Sequence, residues 1–274
     1  MTTFHKLGVT LENLSNLFSS STIVQNYMTQ IKPVAIIVLT IFILWRIIQI
    51  MSGSNKKPVN DVLIEVLIWA IVWNLAFDIG GWVHKIQAMM NEIYKWAGGG
   101  VGFFDNLDIW SAKFQELAGD LYAKDKSTFV KAEGILAVIL VILSMILLIV
   151  VPLVIIAVSS VAVQILIVLA PFMILSIIFP SIKQLFDNWI ELFLTNVLIV
   201  ILISIFQDSL VTKILSFLNL ALSKSEDAAV GQIVMTGVNL LMLTTFYTAI
   251  ILTSVPLAKA LTGSFKTMGL GKGI

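Results

Sequence analysis

The chain has 274 residues, of which 58% are hydrophobic and only 12% charged, and its formal net charge is +1. With a mean hydropathy of +1.00, this composition excludes a soluble domain carrying a single anchor and describes a polytopic membrane protein. Cysteine is absent, which excludes disulfides, thiolate chemistry and cysteine metal sites. The two histidines, His5 and His84, fall in no HExxH pattern, so no metal or cofactor is expected.

At the N-terminus Phe4, Leu7, Leu11, Leu14 and Phe18 recur at intervals of three and four, the spacing of one helix face. Such a helix suits either a partner subunit or the membrane surface. Ser19, Ser20, Ser21 and Thr22 interrupt it. No small-residue cleavage site follows the first apolar run, so a removable signal peptide is not expected and Pro33–Met51 reads as a span. A second span is predicted at Val62–Trp82. Lys56 and Lys57 lie in the turn between them, which the positive-inside rule places in the cytoplasm, with the N-terminus outside.

Residues 83–134 carry six lysines against seven acids and read as a periplasmic loop. Its Gly98, Gly99, Gly100 and Gly102 precede Phe103 and Phe104, which suggests a flexible loop or an interfacial hairpin tipped by the two aromatics. From Ile135 to Phe179, 45 consecutive residues carry no charge. One helix of that length runs roughly 68 Å against a hydrocarbon core of about 30 Å. Pro152, Pro171, Ser159, Ser160 and Gln164 interrupt the run. A polar break at Ser181–Asn188, a span at Trp189–Phe206, a mixed stretch over 207–232 and a last span at Ile233–Val255 follow. Lys259, Lys266 and Lys272 give the tail a cytoplasmic signature.

The Lys56/Lys57 turn and the lysine tail belong on one side, so an even number of crossings separates them. The long run then crosses an odd number of times. Five spans, N-terminus periplasmic and C-terminus cytoplasmic, are expected of this all-α bundle; six, with a turn at Ser159–Ser160, is the rival. The divisions are an amphipathic periplasmic region (1–32), a transmembrane hairpin (33–82), a periplasmic loop (83–134), a hydrophobic core (135–255) and a basic tail (256–274).

Ionisable groups inside spans are functional candidates. Arg46 and Glu65 reach similar depth in the first hairpin and form a candidate ion pair. Gln164 is the most central polar side chain of the long run, suited to an interhelical bond or, in an oligomer, to a pore. Trp82, Trp96 and Trp189 sit at predicted membrane edges, as in an aromatic belt. No nucleotide loop, nucleophile–base pair or carboxylate dyad occurs, so no catalytic residue is assigned.

The block VLAPFMILSIIFPSIKQLFDNWIELFLTNVL (168–198) and the ending Val255-Pro256-Leu257-Ala258-Lys259-Ala260-Leu261-Thr262-Gly263-Ser264 resemble the TrbL/VirB-six family. These are polytopic inner-membrane subunits of type IV secretion and conjugation systems. The resemblance implies a structural channel component, a homo-oligomer (a pentamer) that contacts the minor pilin and other secretion subunits. It would help DNA or protein cross the lipid bilayer, with energy from separate ATPases. Carried over by position, the family residues are Pro171, Pro180, Asp187, Trp189, Pro256 and Gly263. Trp189 would anchor depth, and Gly263 would permit a turn or a close helix approach. Lys183 stands alone where family members often have several basic residues. A secondary transporter or ion channel is the alternative, but it predicts paired broken helices, and only one broken region is visible. A membrane scaffold or immunity-type protein that transports nothing is a third reading.

Overall fold

The computed structural model describes residues 3–19, 22–52, 59–77, 82–96, 101–124, 132–179, 182–224 and 232–267. Among these the chain is all helical: α1 (Thr3–Ser19), α2 (Thr22–Met51), α3 (Val59–Ala76), α4 (Trp82–Trp96), α5 (Val101–Lys124), α6 (Ala132–Ser176), α7 (Lys183–Lys224) and α8 (Gln232–Thr267). Four helices contain stretches long and apolar enough to cross a membrane: Thr29–Met51, Glu133–Ser176, Lys183–Gln207 and Val234–Gly263. The apolar part of α3 is shorter, Val66–Ala76. In an apolar medium every backbone group must be satisfied within its own segment, so Ile- and Val-rich stretches become helices despite modest intrinsic propensity.

The elements differ from the sequence expectations in instructive places. Residues 83–134 are not mainly a loop; α4 and α5 occupy most of them. Phe103, Phe104, Leu107, Trp110, Phe114, Leu117 and Leu121 form a stripe at helical spacing, and all are buried. Phe103 and Phe104 therefore belong to a core rather than to a hairpin tip. The second expected span ends early, because α3 stops at Ala76 and a fresh helix starts at Trp82; Asp78, between them, lies outside the described residues. The mixed stretch after Phe206 stays helical to Lys224, and α8 runs through Pro256 as far as Thr267. The long charge-free run is one helix, α6, with no turn at Ser159–Ser160.

The chain forms two compact units. The first gathers Met1–Leu14, Ile93–Val163 and Phe193–Ile274. Its core joins the α5 stripe to Ala137, Val141, Leu148 and Ile156 of α6, Ile199 and Ile203 of α7, and Leu240, Ile251 and Ala258 of α8. The buried stripe of α8 is Gly237, Leu240, Thr244, Thr248, Ile251, Ser254, Ala258 and Thr262, always three or four residues apart. Small and hydroxyl-bearing residues dominate it, which lets backbones approach where lipid offers no hydrophobic drive. A Cβ on Gly237 would lie 3.1 Å from the Leu140 Cβ and 3.3 Å from the Ala137 carbonyl. Eleven residues further along, Thr248 Oγ1 lies 3.3 Å from the Leu147 carbonyl, so α6 and α8 run in the same direction. Thr195 and Thr262 join α7 to α8 through hydroxyls 2.7 Å apart.

The start of α1 also belongs to this unit. Its Phe4 and His5 amides donate to the Asp108 carboxylate of α5 at 3.2 and 2.9 Å, the service an N-cap side chain normally gives. His5 Nδ1 lies 2.6 Å from Asp105 Oδ1. Gly8 is buried against Phe104, and a Cβ there would come within 2.7 Å of Phe104 Cδ2. Leu7, expected on the packed face, is exposed. The side chains of Leu11, Leu14 and Phe18 lie outside the described residues.

The second unit gathers Ser15–Glu92 and Gln164–Leu192. Trp69, Val72 and Ala76 of α3 pack with Ile174 and Ile178 from the end of α6. Phe42 of α2 meets Trp69 at 4.9 Å and Phe179 at 6.2 Å between ring centroids.

Gly8→Leu is expected to overpack the buried Phe104 ring, an effect of about 1–3 kcal/mol. The measurement is limited proteolysis of purified protein, in which the variant should lose residues 1–19 faster than the parent. Equal cleavage rates would show that the α1–α5 contact does not hold α1 in place.

Candidate functional site

The break between α6 and α7 holds most of the residues that the sequence singles out. Pro171 is buried within the last turns of α6. The helix ends after Ser176, and the amides of Ile177, Ile178 and Phe179 bond three residues back, each at 3.2 Å. Phe179 precedes Pro180 in sequence, and a proline disfavours helical geometry in the residue before it. Pro180 itself lies outside the described residues. The chain resumes at Ile182, and α7 starts at Lys183.

Trp189 lies two turns into α7, with its ring away from solvent. It is buried, stacks beside Phe186 at 5.6 Å and donates its indole N–H to the Leu166 carbonyl at 2.8 Å. A helical carbonyl keeps a second lone pair after its own backbone bond, so the indole finds an acceptor without unravelling α6. Trp189 is thus the clasp that holds the first turns of α7 against α6. Of the other two predicted belt residues, Trp96 is exposed, and the Trp82 side chain lies outside the described residues. Asp187 is exposed on the opposite side of α7 from Trp189.

Gln164 is buried and donates from Nε2 to Asn91 Oδ1 of α4 at 3.3 Å. Its geometry is that of an interhelical bond. Sequence inspection missed a similar contact in the first unit, where Tyr94 of α4 meets Ser160 of α6. Ser160 Oγ already donates to the Ile156 carbonyl at 2.6 Å, so Tyr94 is the donor of the pair. Burial pushes the Tyr94 phenol above its ordinary pKa, while the Ser160 bond acts the other way; the net rise keeps the donor protonated.

Other candidates are not brought together. Arg46 is half-buried and donates from Nη1 to Gln49 Oε1 of its own helix at 3.1 Å. The Glu65 side chain lies outside the described residues, and with it the expected ion pair. Pro256 lies exposed within α8. Gly263 provides neither a turn nor a close approach: α8 continues past it, and a Cβ there would meet nothing within 4 Å. Among the described glycines, Gly8 and Gly237 are the ones with a neighbouring helix close by. Among the described residues no group of three His, Asp or Glu side chains is placed to hold a metal ion.

The family described as TrbL/VirB6 plasmid conjugal transfer protein matches residues 39–268, well over half of the chain and including the α6–α7 break. The chain belongs to the TrbL/VirB6 family. No curated protein matches it significantly. Membership of the TrbL/VirB6 family makes it a multi-pass membrane component of a conjugal transfer or type IV secretion system, associated with other subunits of that system. The family is a structural one.

Trp189→Phe keeps one aromatic ring but removes the N–H and part of the buried indole, and is expected to lower stability by about 1–3 kcal/mol. Trp189→Ala also empties the space and should cost about 3–5 kcal/mol. Thermal unfolding in detergent checks the order. Equal midpoints for Trp189→Phe and the parent would remove the indole–carbonyl bond from the account.

Proposed function

We propose that the protein is a non-enzymatic subunit of the inner-membrane channel of a bacterial type IV secretion system. In this reading it is a homo-oligomer, a pentamer, that serves as a platform for pilus assembly and for passage of DNA or protein. The family match over residues 39–268 carries the proposal. The minor pilin and other channel subunits are its partners, and separate ATPases supply the energy. Pro171, Asp187 and Trp189, with Pro180, shape the α6–α7 hairpin, and Pro256 and Gly263 mark the end of the bundle.

The topology proposed is five spans, with the N-terminus in the periplasm and the C-terminus in the cytoplasm. The four long apolar helices supply four crossings, and α3 supplies the fifth. The apolar part of α3, Val66–Ala76, is short for a crossing, so the fifth span rests on the charge pattern of the flanking segments rather than on length. In this scheme 1–32 and 83–134 are periplasmic, 33–82 is a membrane hairpin, 135–255 is the core and 256–274 is the cytoplasmic tail. The parallel course of α6 and α8 supports it, since both then cross in the same sense.

Removing the protein from its host is expected to abolish conjugal transfer or effector delivery, with recovery on complementation. Normal transfer without it would reject the assignment. The cysteine-free chain allows topology to be mapped directly. Ser127→Cys and Ser225→Cys should react with an impermeant thiol reagent added to cells, whereas Ser54→Cys and Ser264→Cys should not. Reaction at Ser264→Cys with protection at Ser225→Cys would reject five spans.

A further inference from the structure

The depth of the α6–α7 break is fixed by its aromatic contact with α2. Phe42 lies nine residues from each end of the apolar stretch Pro33–Met51. At 1.5 Å per residue it is about 14 Å from either end, close to half the thickness of a hydrocarbon core of about 30 Å. Phe179, in the break itself, meets Phe42 edge-on at 6.2 Å between centroids, and Trp69 meets the same ring at a tilt at 4.9 Å. The break therefore stands level with the middle of α2 and not beyond its end, where a loop in the cytoplasm would be.

The first turns of α7 are two-sided at this level. At 100° per residue, Lys183, Gln184, Asp187, Asn188 and Glu191 fall within an arc of about 140°. Phe186 and Trp189 lie opposite them. On the other side Phe186 packs with the α3 cluster and Trp189 is clasped to Leu166, while Ile182, Leu185 and Ile190 are exposed beside them. Gln184 and Asp187 are exposed, and Lys183 and Glu191 are partly so. Charged side chains and irregular backbone at bilayer depth persist only where protein buries them or water reaches them. Here protein holds Phe186 and Trp189, and Gln184 and Asp187 of the polar arc stay exposed.

We propose that the polar arc of α7, from Lys183 to Glu191, lines a water-filled recess that enters from the cytoplasmic side as far as the middle of the membrane. Phe42, Trp69, Phe179 and Phe186 form its dry wall, and Gln184 and Asp187 face its water. The side from which water enters rests on the topology proposed above.

The test uses single cysteines in the cysteine-free chain, in inside-out vesicles from cells carrying the complete secretion system. Each variant meets a small charged methanethiosulfonate, or a maleimide on a long polyethylene glycol chain that a recess excludes. Gln184→Cys and Asp187→Cys should each react with the small reagent and give no gel shift with the large one. Ser52→Cys, exposed at the end of α2, should react with both, and Leu44→Cys, exposed on its apolar face, with neither. Reaction of Gln184→Cys and Asp187→Cys with both reagents, as at Ser52→Cys, would place the break at the membrane surface and overturn the recess. No reaction with either reagent would mean that protein seals the arc, which overturns it equally. In those two outcomes the membrane reading stands. Reaction of Leu44→Cys with the small reagent would instead remove α2 from the lipid, taking the depth reference, the topology and the recess together.

Discussion

A hydrocarbon core accommodates about 20 helical residues, and α6 has 45. No tilt in the usual range closes that gap, since even about 40° leaves an excess of roughly 20 Å. The helix cannot shed its length by turning, because its backbone bonds run unbroken past Ser159 and Ser160. The rest of the chain packs on one stripe of α6 and leaves other faces, with Ile139, Ile146, Val154 and Val161, exposed. In the first unit the α5 stripe lies in one core with residues 137–156 of α6. In the second, Trp69, Val72 and Ala76 of α3 pack on Ile174 and Ile178 at the end of the run.

Packing alone does not set register between smooth apolar helices, because lipid tails compete on equal terms with Leu and Ile. Register comes from a few polar contacts. Thr195 meets Thr262, Thr248 reaches the Leu147 carbonyl, Tyr94 meets Ser160, Gln164 meets Asn91, and Trp189 reaches the Leu166 carbonyl. Each such bond contributes on average only about 0.6 kcal/mol in a membrane. Their value is positional: sliding one helix by a turn would leave donor and acceptor apart in a medium without water to replace them.

Hydropathy and charge made the all-helical class and the long charge-free element legible in the sequence, and the blocks 168–198 and 255–264 made the family so. In the region 83–134 a window average scores an amphipathic helix as polar, and so suggests a loop where α4 and α5 form. Its 3–4 stripe from Phe103 to Leu121 was present throughout and would have revealed α5. Other features left no such trace. Nothing near Trp189 in sequence says that its indole meets a carbonyl 23 residues earlier. A glycine between helices looks like any other until the neighbour is known, which is why Gly263 drew attention and Gly237 did not. Pro152 and Pro256 lie within α6 and α8 without ending them, whereas α6 ends just short of Pro180, as the restriction on the preceding residue requires.

The carboxylate that caps α1 has a consequence for assembly during synthesis. The Phe4 amide waits for an acceptor 104 residues downstream. While the chain is being made, α1 through α4 emerge before Asp108 exists, and the first turn of α1 has only solvent or headgroups for its amides. Docking of α1 is therefore a closing step, completed after the first hairpin has left the ribosome. It brings the two ends of a long detour together, and a chain arrested before α5 would leave its N-terminal helix without the cap that holds it.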